Sequence, residues 1–296
     1  MTTLADSSIE AVGRRWPRLQ TIPIGPLLLV APLVLYLLVF YAVPVAAMLS
    51  RSVTDPHWTL ANYTRLATDA VFLRVLTTTL TTAAVVTVGT IVLGYPVALA
   101  MARSRPAVTN IILAVVLLPF WTSVLVRSYA WMVLLGRHGL INEALTAAGI
   151  IDTPLRLLNT PFATHIAMIH ILLPYAILPL ASVLRQIDGA LLRAAVGLGA
   201  NPWGVFRQVV LPLSLPGVVA GMLLVFVLSL GFYITPALVG GPRDTMLSML
   251  IAQQVDLLNW PYAAALSATL LAVALLLIGM TLRLPALRQA LRGVAR

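Results

Sequence analysis

Cysteine and lysine are both missing from this 296-residue chain. Without cysteine there are no disulfides and no thiolate metal sites, and the redox compartment stays undetermined. Without lysine all 19 basic residues are Arg, which alongside the many alanines points to a GC-rich genome more than to a special mechanism. Charge is scarce overall: acidic and basic residues make up 9% of the chain, against roughly 25% in a soluble domain. A GxxxxGK[ST] phosphate loop is also lacking, so the chain is not expected to bind nucleotide by itself. No catalytic constellation is visible, and no metal site or cofactor is expected. The pI near 11.0 says little about nucleic acid, and none is expected as a partner. What fills the space is hydrophobic residues, at 60%, with a mean hydropathy of +0.98. That composition defines an integral membrane protein.

Crossing a bilayer takes about 20 apolar residues in a helix. Six such runs can be drawn, over about 27–49, 76–101, 109–126, 162–184, 213–236 and 261–282, none with Asp, Glu or Arg in its middle. The expectation is therefore an all-α protein of six transmembrane helices. Pro44, Pro96, Pro119, Pro174, Pro179 and Pro216 fall in or beside these runs and should kink several of them, which neighbouring helices can tolerate. The domains read as an N-terminal segment over 1–24, one transmembrane domain over 25–284 and a C-terminal tail over 285–296. No internal repeat is visible.

With Arg14, Arg15 and Arg18 ahead of it, the first apolar run is longer than the core of a cleaved signal peptide and reads as a signal anchor. If both termini are inside, the inner segments hold twelve Arg (14, 15, 18, 103, 105, 185, 193, 207, 283, 288, 292, 296) and the outer ones seven (51, 65, 74, 127, 137, 156, 243). The positive-inside rule favours that orientation. It places residues 188–212 in the cytoplasm and three longer segments, about 50–75, 127–161 and 237–260, outside. In the middle outer segment, Arg137 to Glu143 followed by Ala144 to Gly149 reads as a turn and a short helix. Trp121, Trp131 and Trp260 lie near outer span ends, as an interfacial aromatic belt would.

The segment 188–212 is the richest in local signals. Leu191, Ala194, Ala195 and Leu198 recur at spacings of three and four, giving one apolar stripe on a short helix. Gly199 can close that helix in the left-handed conformation, and Asn201-Pro202 reads as the N-cap and first position of the next. Small residues at Ala194, Ala195, Gly199 and Ala200 allow another surface to approach closely. From spacing alone, an ordinary helical linker between spans explains the segment as well. His165 and His170, five apart in the fourth run, point about 140° away from each other on a helix, which is poor for a shared metal. A neutral His bonded to a backbone carbonyl explains each more simply.

The pattern of Ala194-Ala195, Gly199-Ala200, Phe206 and Leu211-Pro212 resembles the cytoplasmic coupling loop of permease subunits of binding-protein-dependent ATP-binding cassette importers. Leu118-Pro119-Phe120-Trp121-Thr122-Ser123, Val126 to Trp131 and Leu135 to Asn142 look like the spermidine/putrescine permeases. So do Asn159-Thr160-Pro161-Phe162, Ile171 to Tyr175 and Leu178-Pro179-Leu180. The likeness covers most of residues 60–280. It implies the type I importer (MetI-like) fold, a bacterial inner-membrane location, and no enzymatic activity in this chain. It also implies partners: a second related permease, two ATP-binding subunits, and a periplasmic or lipid-anchored substrate-binding protein. By the same resemblance, Arg193, Ala194, Ala195, Gly199, Ala200, Asn201, Pro202, Phe206 and Pro212 would contact the ATPase. Arg193 departs from the family, which usually carries Glu there.

Polar or aromatic residues of the fourth and fifth runs are candidates for a solute path, namely Tyr175, Ser229, Tyr233 and Thr235, with Asp256 outside; ordinary interhelical packing accounts for each equally well. A polyamine needs carboxylates or aromatic faces in place of its hydration. The spans offer only aromatics, so charge recognition is expected in the binding protein, the partner permease, or the outer Asp244 and Asp256. Related permeases carry opines and other small solutes. A stand-alone secondary transporter, which would normally show intramembrane acids, and a membrane scaffold without transport remain the competing classes.

Overall fold

A computed structural model describes residues 24–55 and 57–283. The expected N-terminal segment with Arg14, Arg15 and Arg18, and the tail with Arg288, Arg292 and Arg296, lie outside them. Every regular element among the described residues is helical. Five helices are long and apolar enough to cross a membrane, and a sixth span is formed if one sharply bent pair is counted together.

The chain divides between Met48 and Leu49 into two compact units. In the first, α1 (Ile24–Leu37) passes through a π turn at Leu38–Ala42 into α2 (Val43–Thr54), whose residues from Leu49 onward belong to the second. Its large side chains from Leu29 to Tyr41 are exposed nearly all round, as suits a helix solvated by lipid.

The second unit continues with α3 (Ala61–Thr68), α4 (Ala70–Arg103), α5 (Pro106–Leu117) and, after a 3₁₀ turn at Leu118–Trp121, α6 (Val124–Leu135). Then come α7 (Leu140–Ala147), α8 (Pro161–Arg185), α9 (Gly189–Gly197) and α10 (Pro202–Val205). A second π turn at Phe206–Val210 leads into α11 (Leu211–Leu230), followed by α12 (Ile234–Val239), α13 (Leu247–Asp256) and α14 (Trp260–Leu282).

The centre is a three-helix packing of α4, α8 and α11. α4 is rich in threonine, yet it can sit in an apolar core because the hydroxyls bond back along the helix. Thr79, Thr87 and Thr90 donate to the carbonyls of Val75, Ala83 and Val86 at 2.7, 2.7 and 2.6 Å. With their donors satisfied, these side chains carry little desolvation cost. α11 meets α8 along Gly217 and Gly221, a small-xxx-small pair that the sequence reading passed over. A Cβ at Gly217 would stand 2.9 Å from the Cβ of Val183, and one at Gly221 would stand 3.3 Å from the Cα of Ala176. The two backbones touch there, which is how helices associate without a hydrophobic driving force.

Three expected boundaries differ from the structure. The run 109–126 is not one straight span: α5 and its 3₁₀ turn end at Trp121, the chain extends at Thr122, and the next helix leaves at 97°. The Oγ of Ser123 accepts from Leu125 N, so this serine caps a new helix rather than continuing the old one. Residues 127–135, expected in an outer loop, therefore belong to α6. The fifth span does not begin at Leu213, because α10, the π turn and α11 form one rod from Pro202 to Leu230. The amide of Leu211 reaches Phe206 O, five residues back, and Pro212 follows with no N–H to give. A residue without a donor is where the hydrogen-bond ladder can change register at least cost. The same span stops at Leu230, so Tyr233 and Thr235 lie beyond its end.

One end of the second unit is locked by a polar cluster. Asp69 caps α4 by accepting from Val71 N at 2.8 Å, and its other oxygen accepts from Tyr262 OH at 3.1 Å. The guanidinium of Arg65 sits 4.3 Å from the centre of the Tyr262 ring. The Val71 N–H, helped by Tyr262, holds the Asp69 carboxyl below the usual carboxylate range. A depressed carboxyl stabilises the fold above its unfolded pKa, and that contribution is lost as pH falls through the folded value. Tyr262→Phe is expected to lower the unfolding temperature of the detergent-solubilised protein and to lessen its loss of stability below about pH 4. A thermal melt across a pH series checks both; unchanged curves would show that the bond contributes nothing.

Candidate coupling surface and membrane path

α9 starts and stops as its residues require. Asp188 Oδ1 accepts from Ala190 N at 2.8 Å, and at the other end Gly199 takes φ +87°. Ala200 N reaches Ala195 O at 3.0 Å while Gly199 N reaches Val196 O at 2.9 Å. This pair of bonds satisfies the last carbonyls and fixes the corner. Asn201 Oδ1 then accepts from Gly204 N at 2.7 Å and starts α10, with Pro202 at its first position. Capped on both sides, the corner is stiff, and the second helix is continuous with α11.

The two faces of the corner differ. Leu192, Val205 and Phe206 turn inward and pack with Met101, Ile177 and Leu184 at the adjoining ends of α4 and α8. Of the stripe formed by Leu191, Ala194, Ala195 and Leu198, Ala195 is half-buried and the other three face outward, while Leu192 lies on the packed side. Arg193, Asn201 and Pro202 are also exposed, while Ala200 and Phe206 are half-buried and Pro212 is exposed at the start of α11. The guanidinium of Arg193 lies over Gly189, its Nη1 3.2 Å from where a Cβ would be.

Leu198 is 90% exposed, Trp203 66% and Val196 61%. Three large apolar side chains on one stiff corner form a surface shaped for contact. Of these, Val196 and Trp203 lay outside the sequence reading. Trp203, a large aromatic directly after the Asn201-Pro202 helix start in a predicted cytoplasmic segment, was the signal available. Trp203 stacks on Phe206 at 5.4 Å, and Phe206 meets the edge of Tyr95 on α4 at 5.7 Å. Tyr95 OH lies 2.8 Å from Ser214 Oγ. Because Ser214 gives its own proton to Leu211 O at 2.9 Å, the tyrosine is the donor. An aromatic column thus runs from the exposed corner to α4 and α11 together.

The candidate path residues do not form one cluster. Tyr175 on α8 packs its ring against Phe120 at 4.9 Å. Ser229 is fully buried with no hydrogen-bond partner, and Thr235 is buried and bonded to Ser128 at 2.8 Å. Tyr233 is 45% exposed between α11 and α12, and Asp256 is exposed at the end of α13. Asp244 does not offer the outward charge expected of it: it is 5% exposed and its Oδ2 accepts from Gly241 N at 2.7 Å. The turn holds one carboxylate oxygen and keeps the side chain from facing outward. His170 accepts at Nδ1 from Trp131 Nε1 at 3.2 Å, so its partner is an indole rather than a carbonyl. That bond also draws Trp131 away from a purely interfacial role, whereas Trp121 is 90% exposed.

The model of the family described as binding-protein-dependent transport system inner membrane component matches residues 90–289, which include the whole capped corner. The chain belongs to that family. This permease is 38% identical over 214 residues to the spermidine/putrescine transport system permease protein PotB of Escherichia coli, covering 72% of this chain and 78% of the relative. It is 37% identical to the protein of the same name in Haemophilus influenzae, over 74% of this chain and 77% of that one. A crystal structure of a bacterial alginate ABC transporter, in complex with an alginate pentasaccharide-bound periplasmic protein, superposes with a TM-score of 0.70 at 19% identity. The superposition covers 87% of this permease and 92% of that chain. The expected all-α, type I importer fold and the multi-pass inner-membrane location stand.

Proposed function

We propose that this permease forms half of the translocation path of an ATP-driven polyamine importer, with both termini in the cytoplasm and the 188–212 corner seated on an ATPase subunit. The observation that carries it is the exposed, doubly capped corner in a chain 38% identical to a spermidine/putrescine permease. The chain itself performs no chemistry. ATP binding closes two ATPase subunits, their grooves draw the corners of two permeases together, and each stiff corner moves its α11 rod and, through Phe206 and Tyr95, α4. A second related permease supplies the other half of the path, and a binding protein delivers the solute from outside. Arg193, exposed and folded over Gly189, leaves room for an ATPase groove that lacks the usual basic partner of a glutamate.

A second reading, an importer for an opine or another amino-acid-like solute, is favoured by Arg127: it is half-buried beside the span, with its Nε buried and unpartnered. A fixed cation suits a solute bearing a carboxylate. A thermal-shift screen of the cognate binding protein separates the two. Stabilisation by putrescine or spermidine is expected, and stabilisation by amino-acid-like anions alone would transfer the assignment to the second reading.

A further inference from the structure

We infer that Tyr95 is a positioning residue for energy coupling: its hydroxyl makes α4 follow the 188–212 corner, and α4 carries that movement to α13 at the other end of the same helix. This rests on the proposed transport role.

The three central helices meet almost wholly through apolar atoms. Among the described residues, the 2.8 Å bond from Tyr95 OH to Ser214 Oγ is the only side-chain hydrogen bond that joins any two of α4, α8 and α11. Ser214 is fully buried, and Tyr95 is half-buried in the same apolar cluster as Leu192, Val205 and Phe206 of the corner. In such surroundings a satisfied hydrogen bond fixes the geometry of the groups that make it. Interhelical bonds of this kind add only modestly to the stability of membrane proteins. What sets this one apart is its position.

Both helices can bend where the bond ties them. Pro96 follows Tyr95 directly, and Pro212 and Pro216 flank Ser214. A proline gives no N–H to the helix ladder. The π turn ends at the same level, with Leu211 N on Phe206 O, and Ser214 gives its proton to Leu211 O. Movement of the corner thus reaches α11 at a point that can flex, and without a tie α11 could bend there while α4 stayed behind. Two contacts reinforce the tie. The Phe206 and Tyr95 rings meet edge-on at 5.7 Å, and a Cβ at Gly94 would stand 3.2 Å from Cγ1 of Ile177 on α8.

The far end of α4 is fastened as well. Thr79 lies about 24 Å from Tyr95 along the helix axis. It is buried, and its Oγ1 donates to Val75 O at 2.7 Å and accepts from Leu247 N, at the start of α13, at 2.8 Å. Thr87 and Thr90, between the two, bond only to carbonyls of α4 itself. Tyr95 and Thr79 are therefore the polar fasteners at the two ends of one strut. By linkage, a change on the outer face that moves α13 acts back on the corner with the same coupling energy.

The test uses the complete importer, permeases with ATPase subunits. Because the chain has no cysteine, spin labels can be placed through Arg103→Cys at the inner end of α4 and Ala190→Cys on α9, both exposed positions. In nanodiscs, ATP should leave the distance between these labels unchanged, since α4 and the corner move together, and should shift it once Tyr95→Phe is added. In proteoliposomes with binding protein and labelled putrescine, Tyr95→Phe should assemble in normal amounts and hydrolyse ATP at close to the wild-type rate. Putrescine taken up per ATP should fall by about two- to thirtyfold, the range for residues that link two sites without touching either ligand. Ser214→Ala should do the same, and the double variant no more than either single one, because all three remove one bond. Thr109→Val removes another buried hydroxyl bond at the inner end of α4, to Met101 O, and should leave uptake per ATP unchanged.

An unchanged ratio in both Tyr95→Phe and Ser214→Ala overturns the inference. So does an equal fall of hydrolysis and uptake, or loss of the assembled complex in both variants, either of which would make the bond a support of the fold alone. A label distance that shifts with ATP while Tyr95 is intact overturns it too. A wild type that takes up no putrescine with ATP defeats the transport reading, and the label distances still decide whether α4 follows the corner.

Discussion

Gly199→Asp is expected to leave the permease in the membrane at normal levels while the ATPase subunits are lost on purification and uptake is abolished. Gly199 holds φ +87°, and within the chain a Cβ there would meet nothing within 4 Å. The folded permease thus suffers only the left-handed backbone, which Asp tolerates better than most residues and which costs on the order of 1 kcal/mol. Any larger effect must come from a surface that is absent from the isolated chain. Gly199→Asn sharpens the test, because asparagine adopts this conformation readily but adds similar bulk without charge. If bulk at the corner blocks docking, both variants lose ATPase subunits. If the negative charge is responsible, only the aspartate does. Full ATP-driven uptake by both would falsify the assignment of the corner to energy coupling.

A replacement of comparable effect lies inside the membrane domain. Gly221→Leu is expected to remove most folded permease from the membrane, and Gly217→Leu to do nearly as much. At Gly221 a Cβ would be 3.3 Å from both the Cα and the carbonyl O of Ala176, so the atoms in the way are backbone of α8 and cannot rotate aside. At Gly217 the nearest atoms are the Cβ of Val183 at 2.9 Å and the Cα of Leu180 at 3.2 Å. Overpacking a tight core costs about 1–3 kcal/mol when side chains can relax, and more is expected where helices must separate. Two other glycines set the scale. Gly89 faces the mobile tip of Ile169 at 2.5 Å, and Gly279 faces open space. Gly89→Ala should cost little and Gly279→Leu nothing measurable. Quantifying the monodisperse protein after solubilisation reads out all four, and equal yields for Gly221→Leu and Gly279→Leu would refute the close crossing of α8 and α11.

What the sequence determined by itself was everything carried by local chemistry or by composition. Apolar runs free of charge announced the membrane class. The Asp188, Gly199 and Asn201-Pro202 signals located the ends of α9 and α10, because a cap is a bond between residues two to five apart and needs no tertiary partner. Resemblance over residues 118–142 and 188–212 pointed to the family. Only the tertiary structure decided which faces are covered. Leu191 and Leu192 are equally apolar in sequence, yet one faces outward and the other packs under the corner because α4 and α8 end there. The fifth span could not be dated back to Pro202 from hydropathy, since Arg207 and Gln208 interrupt the apolar run while a π turn carries the helix through them. Asp244 is expected from the sequence to offer an outward charge, and only the fold turns it inward onto Gly241 N. Which way a short side chain faces is fixed only when its loop is packed against its neighbours, as Gly241 is against Asn159.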